Sequence, residues 1–175
     1  NQDKWNINVG EASDLIEKEK PSLIVFGASL ILFPQPAKEL SKAAKGVNAK
    51  VAFDGAHVLG LIGGRRFQDP LREGAEVLIG STHKSLFGPQ GGIILSNATS
   101  GKTVKESIHP GLVDNAHYNR IAALCMALLE LKSFGKAYAD QVVRNAQTIG
   151  KALDERGVPV KCREYNYTES HQIIL

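Results

Sequence analysis

An aspartate, a histidine and a lysine frame the chemistry open to this chain. Asp54 closes the run KVAF (50–53) and is followed by Gly55, Ala56 and His57. Lys84 stands in GSTHKSLFGPQGG (80–92), just after Val77, Leu78 and Ile79. A lysine usually points into water, yet this one is set where an apolar run ends, among glycines that allow tight backbone turns. In open parallel sheets ligands bind beyond the carboxyl ends of the strands. Neighbouring strands lie about 4.8 Å apart, so if these two runs pair, Asp54 and Lys84 reach the same small flat ligand. The spacing between them, about thirty residues, is that of one strand–helix–strand crossover.

Pyridoxal phosphate needs such a pair. A lysine holds its aldehyde as a Schiff base, and a carboxylate keeps its ring nitrogen protonated so that the ring draws electrons from a substrate α-carbon. Nearby glycines let backbone amides approach the phosphate. Each residue also has a plainer reading: Asp54 as a turn cap, His57 as a hydrogen-bonded interior histidine, Lys84 as a solvated loop residue, Ser81 and Thr82 as caps of the next turn. The joint arrangement is more specific than any of its parts. GLIGGRRF (60–67) lacks the spacing of either common nucleotide-binding glycine loop.

The elements that must position these residues read as alternating strands and helices. EASDLIEKE (11–19) predicts a short helix with Leu15 and Ile16 on one face, stopped by Pro21. SLIVFG (22–27), KVAFD (50–54), EVLIGS (76–81) and GIILSN (92–97) predict strands, and Leu40, Ala43, Ala44 and Val47 predict a helix between the first two. Strands with unbroken apolar runs are expected to be buried on both faces, in a mostly parallel sheet flanked by helices. Residues 98–117 read as a loop-rich connection, and 118–134 as a helix apolar nearly all round and therefore buried on several sides. Residues 136–156 read as a second helix with Val142, Ala146, Ile149 and Leu153 on its stripe; VPVKC and HQIIL read as short strands of a further layer. The fold class is α/β, with residues 1–135 expected as a partial cofactor-binding domain and 136–175 as a connecting helix and the start of a second domain.

Composition narrows the class. At 175 residues, 43% hydrophobic and 22% charged, the chain is ordinary globular material. A net charge of +3 with no long Lys/Arg run disfavours nucleic-acid binding. No apolar run is long enough to span a bilayer. Cys125 and Cys162 lie far apart, which suits a cytoplasmic location. The five histidines show neither helical i,i+4 pairing nor a cysteine at ligand spacing, so no metal site is predicted. An opening without methionine and a close on HQIIL predict flanking segments beyond this stretch.

FDGAHVLGLIGGRRFQDPLREGAEVLIGSTHKSLFGPQGG resembles the central block of serine hydroxymethyltransferases, which reads D-x-A-H-x-x-G-L-[IV] and then T-H-K-[ST]-L-x-G-P-x-G-G. The resemblance extends back through VFGAS and forward through HPG to LDERGVPV and ESHQIIL. It implies a fold-type I, aspartate-aminotransferase-like large domain with pyridoxal 5'-phosphate held by Lys84. Asp54 would pair with the ring nitrogen and Ala56 pack on the ring face. His57 and Ser29 would contact the ring hydroxyl or the substrate carboxylate. Ser81, where threonine is usual, would assist transfer of the cofactor between amines, with Thr82 beside it and His83 near the phosphate. The implied reaction interconverts serine and glycine with a reduced pterin, folate or methanopterin, in a homodimer.

Two positions depart from the family. Gln90 stands where arginine is common, and LVDNAH (112–117) replaces a glycine-rich loop that reaches the phosphate. Asp114 would repel phosphate there, which leaves Asn115 as the contact. The family's phosphate loop, ring-stacking aromatic residue and carboxylate-gripping arginine have no counterpart in this stretch, so it is expected to be impaired alone. Aldolase or cysteine-desulfurase chemistry on the same fold, and a non-catalytic assembly role, remain open alternatives at this point.

Overall fold

The computed structural model describes residues 5–175. Four strands form one sheet in the order β1 (Leu23–Phe26), β2 (Lys50–Asp54), β3 (Val77–Ser81), β4 (Gly92–Ser96). β1, β2 and β3 are parallel and β4 runs antiparallel to β3. The helices between them are α1 (Val9–Glu19), α2 (Ala37–Gly46), α3 (Leu59–Gly63) and α4 (Pro70–Glu73); α5 (Ala98–Ile108) and α6 (Tyr118–Asp154) follow the sheet. Local chemistry sets several ends. Asn8 accepts from the amides of Gly10 and Glu11 at the start of α1, Asn97 does the same for Ser100 in α5, and Asp69 caps α4 ahead of Pro70.

Strand alternation sends one set of side chains into the core. Phe26, Phe53 and Leu78 lie in register across β1–β3, and all three are buried, with the two phenylalanine rings 6.5 Å apart. Leu40 and Ala44 of α2, Val58, Leu61 and Ala139 and Val143 of α6 complete this core. The opposite face was expected to be covered as well, and it is open: Val25 is 58% exposed, and Ile79 and Ile94 are also exposed. Within α1 only Ile16 is buried, while Leu15 faces water.

The later half departs most from the sequence reading. Residues 98–108 are helix α5 rather than loop. The two helices expected over 118–134 and 136–156 are one continuous helix of 37 residues, because Gly135 packs against Gly64 instead of breaking the helix. The buried stripe is Gly135, Ala139, Val143, Ala146 and Gly150: it keeps the predicted Ala146, takes Val143 and Gly150 in place of Val142 and Ile149, and leaves Ile149 exposed. The first half of α6 is mostly exposed, including Tyr118, Ile121, Leu129 and Phe134. VPVKC and HQIIL form no strands; they meet through a single backbone hydrogen bond from Lys161 N–H to Ile174 O at 2.8 Å.

The final segment instead returns to the carboxyl edge of the sheet. Thr168 and Ser170 are fully buried, and Glu169 N–H donates to Leu32 O at 2.9 Å. His171 is carried inward with its Nδ1 buried and without a hydrogen-bond partner. Burial first, and the nearby His57 second, hold its imidazole below the usual range.

Two predictions follow from this packing. A Cβ at Gly64 would run into the Gly135 carbonyl oxygen and sit 2.5 Å from Ala139 Cβ, whereas one at Gly46 meets nothing within 4 Å. Gly64→Ala is expected to destabilise by about 2 kcal/mol or more, and Gly46→Ala to stabilise by about 0.5 kcal/mol; urea unfolding midpoints check both. A histidine whose folded pKa is depressed binds its proton more readily when unfolded, so it lowers stability as pH falls below about 6.5. His171→Gln should flatten that acid-side loss, as measured by unfolding midpoints from neutral pH downward.

Candidate active site

The site residues come from three carboxyl-edge segments. Asp54 is the last residue of β2 and lies in register with Ile79 of β3. Its side chain therefore faces the open side of the sheet, as does that of Ser81, two residues beyond Ile79. Asp54 Oδ1 accepts from Ala56 N–H at 3.0 Å, so the turn-cap reading holds and coexists with an exposed carboxylate. That turn also sets out Ala56 and His57, both half-buried, before α3 begins. Gly27 ends β1 at a φ of 113°, and a Cβ there would collide with the Asp54 carbonyl, so the β1 and β2 tips close together. Ser29 follows in an exposed loop.

Lys84 lies in the connection between β3 and β4. Its Nζ is 3.1 Å from His57 Nε2, across 27 residues of sequence. An ammonium only donates, so with Lys84 protonated this contact requires the His57 tautomer whose Nε2 carries the lone pair. The connection is fixed from inside. Thr82 N–H donates to Gly91 O at 3.0 Å, Thr82 Oγ1 to Pro89 O at 2.6 Å, and Gly88 N–H to Thr82 O at 2.6 Å. Thr82 is almost fully buried, and these bonds make it a staple of the loop. His83 Nδ1 lies 3.3 Å from Gly91 N and 3.2 Å from Gly91 O, so its ring braces the glycine turn.

Ser85, Phe87 and Tyr138 also hold this connection, and of these Tyr138 carries no sequence signal. Ser85 Oγ accepts from Gly60 N–H at 3.0 Å, and Ser85 O accepts from Tyr138 Oη at 3.0 Å. Phe87, at a φ of 54°, packs edge-on against the Tyr138 ring with centroids 4.8 Å apart. The lysine loop is thereby tied to α3 on one side and α6 on the other. A polar residue on a long helix reads as an ordinary surface position, which is why Tyr138 was not anticipated.

Asn115 and Asp114 are exposed and line an open cleft of about 830 Å³ between β4, α5 and α6, with Ile94, Gln90, Arg120 and Thr82. Among the described residues no hydrogen bond or ion pair joins them to Asp54, His57 or Lys84, whose own bonds run to Ala56 and to each other. Gln90 contributes its carbonyl, which accepts from Arg120 Nη1 at 3.1 Å. The structure thus gathers Asp54, Ala56, His57 and Lys84, with Ser81 on the same face, and sets Asn115 on a neighbouring cleft.

Comparison with known proteins agrees with this geometry. The family model described as serine hydroxymethyltransferase matches residues 1–175. The serine hydroxymethyltransferase of Methanocaldococcus jannaschii is 50% identical over 173 residues, 99% of this chain and 40% of that protein. That of Methanocella arvoryzae is 51% identical over 170 residues, 97% of this chain and 40% of that protein. The chain thus spans about 40% of the length of the curated relatives it matches. Among solved structures, L-threonine transaldolase from Pseudomonas fluorescens superposes with a TM-score of 0.88 at 30% identity, covering 95% of this chain and 39% of that one. The sheet order, the Asp54–His57–Lys84 grouping and a match along the whole stretch lead to one assignment: this chain belongs to the serine hydroxymethyltransferase family.

Proposed function

We propose that this chain carries the cofactor-holding centre of a pyridoxal-phosphate-dependent transferase that interconverts serine and glycine, passing a one-carbon unit to a reduced pterin. The observation that carries the reading is the 3.1 Å contact of Lys84 Nζ with His57 Nε2, beside the tip that bears Asp54. An amine, an imidazole and a carboxylate on one sheet edge fit the donor set that this cofactor needs. When bound, the cofactor supplies an electron sink for bonds at the amino-acid α-carbon.

The chain's own residues have separable tasks. Lys84 provides the amine that tethers the aldehyde, and the Thr82, Ser85 and Tyr138 hydrogen bonds keep that amine at one place. Asp54, steadied through Oδ1 by Ala56 N–H, holds a proton at the ring nitrogen. His57 would accept from Lys84 and so keep its amine oriented. Ala56 and the exposed Ser29 bound the ring and the substrate carboxylate. Ser81, at the end of β3, would offer a hydroxyl beside the Lys84 amine. His83 and Asn115 are assigned to the phosphate end. Thr82 acts on the site only through the loop it staples.

The wider reading extends the family assignment. The exposed apolar side chains at the start of α6 support a homodimer. The methanogen relatives favour methanopterin over folate as acceptor. No helix among the described residues is long and apolar enough to cross a membrane, and we assign the protein to the cytoplasm. Residues 1–135 would form the large domain and 136–175 its link to the next. A second reading, aldol-type chemistry on threonine, draws support from the transaldolase likeness. Threonine cleavage without serine turnover would favour it.

Added pyridoxal phosphate is expected to give the visible absorbance of an aldehyde condensed with an amine, and Lys84→Ala to remove it. Equal colour in both proteins would sink the assignment of Lys84. Asp54→Asn should keep the colour but weaken cofactor binding about tenfold, because a charge-assisted hydrogen bond is lost; an absorbance titration measures it.

A further inference from the structure

We infer that Gln172 is a positioning residue of this site, whose carboxamide clamps the Ser29–Ile31 turn and so fixes Ser29 beside the strand tips. The inference rests on the cofactor reading above. Gln172 Oε1 accepts from Ile31 N–H at 2.9 Å, and Gln172 Nε2 donates to Ser29 O at 2.7 Å. With one oxygen facing an N–H and one nitrogen facing a carbonyl, the amide orientation is unambiguous. The two bonds span 141 and 143 residues of sequence. Among the described residues, no other backbone hydrogen bond reaches those two groups, β1 having ended at Phe26.

The far end of the same loop is held differently. Gly27 N–H donates to Gln35 Oε1 at 2.8 Å, and Gln35 in turn exchanges two hydrogen bonds with Gln68. That relay does not reach Ser29 and Ile31; beyond them Leu32 O accepts from Glu169 N–H, and Gln172 supplies the bonds to Ser29 and Ile31 themselves. Gln172 is itself anchored. Its N–H donates to Ser170 Oγ at 3.1 Å, and Ser170 and Thr168 bond each other with no solvent exposure. Gln147 of α6 donates to Thr168 O at 2.7 Å. A continuous chain of hydrogen bonds therefore runs from α6 through the final segment to the loop that carries Ser29. The adjacent His171 lies within electrostatic range of His57, which sets the segment against the site and not beside an unrelated surface.

An amide is the group suited to this task. A methionine of similar length would fill the space but leave Ile31 N–H and Ser29 O without partners. A glutamate would keep the acceptor for Ile31 and lose the donor to Ser29.

The test uses the full-length gene product and reads two quantities. In protein without cofactor, Gln172→Met should speed hydrogen exchange at the Ile31 amide about tenfold. In a titration with pyridoxal phosphate, the same variant should raise the half-saturating concentration about tenfold, Ser29→Ala should do likewise, and the double variant should be no weaker than the weaker single one. Gln172→Glu should keep Ile31 protected yet lose cofactor affinity. Unchanged exchange in Gln172→Met would overturn the clamp. Faster exchange with unchanged cofactor binding, losses that add in the double variant, or full affinity in Gln172→Glu would each overturn the positioning role. Absence of colour in the unsubstituted protein would instead overturn the cofactor reading, while the exchange result would still report on the clamp.

Discussion

The structure depends on a constraint at the β3–β4 connection. Ten residues, 82–91, must reverse the chain between antiparallel strands and still present a lysine beside the neighbouring strand tip. Backbone polar groups removed from water there cost about 1–3 kcal/mol each if unpaired. The loop meets that cost internally, with Thr82 supplying an amide, a hydroxyl and a carbonyl to its own turn. Glycine at 88 is required because the turn closes on Thr82: a Cβ there would stand 2.7 Å from the Thr82 carbonyl oxygen. Once the loop is rigid, one contact with α3 and one with α6 are enough to aim Lys84 at His57.

The parallel register of β2 and β3 is the second half of the same device. It sets Asp54 level with Ile79, one turn of the pleat before Ser81, so carboxylate and hydroxyl share the open face. That face also carries Val25, Ile79 and Ile94, whose exposure forgoes roughly 25 cal/mol per Å² of apolar surface. The buried face has no such deficit, since Phe53, Leu61 and Val143 are fully enclosed. Stability and chemistry are thus divided between the two sides of one sheet.

The sequence made the candidate grouping of Asp54, His57 and Lys84 legible because its residues sit close to strand ends, where local pattern is strongest. KVAFD and EVLIGS were recognisable as strands, and the polar residues that follow them had only one place to go. Serine, threonine and histidine in a row do not reveal which hydroxyl turns inward; for Thr82, hydrogen bonding to Pro89 decided it. α5 was taken for loop because its serines, threonines and lysines give little apolar period, while Asn97 capped it all the same. Gly135 looked like a helix break and is a packing position against Gly64.

What the sequence determined by itself was the α/β alternation, the strand tips and the placing of Asp54 and Lys84 just at or beyond them, because these follow from short-range periodicity and from motif spacing. What only the tertiary structure decided was long-range: the open sheet face, the unbroken α6, the Tyr138 brace on the lysine loop, and the return of Thr168–Gln172 onto Ser29. Those contacts join residues between 53 and 143 positions apart. No local pattern encodes them, since each partner is an ordinary polar or glycine residue until folding brings its mate within hydrogen-bonding reach.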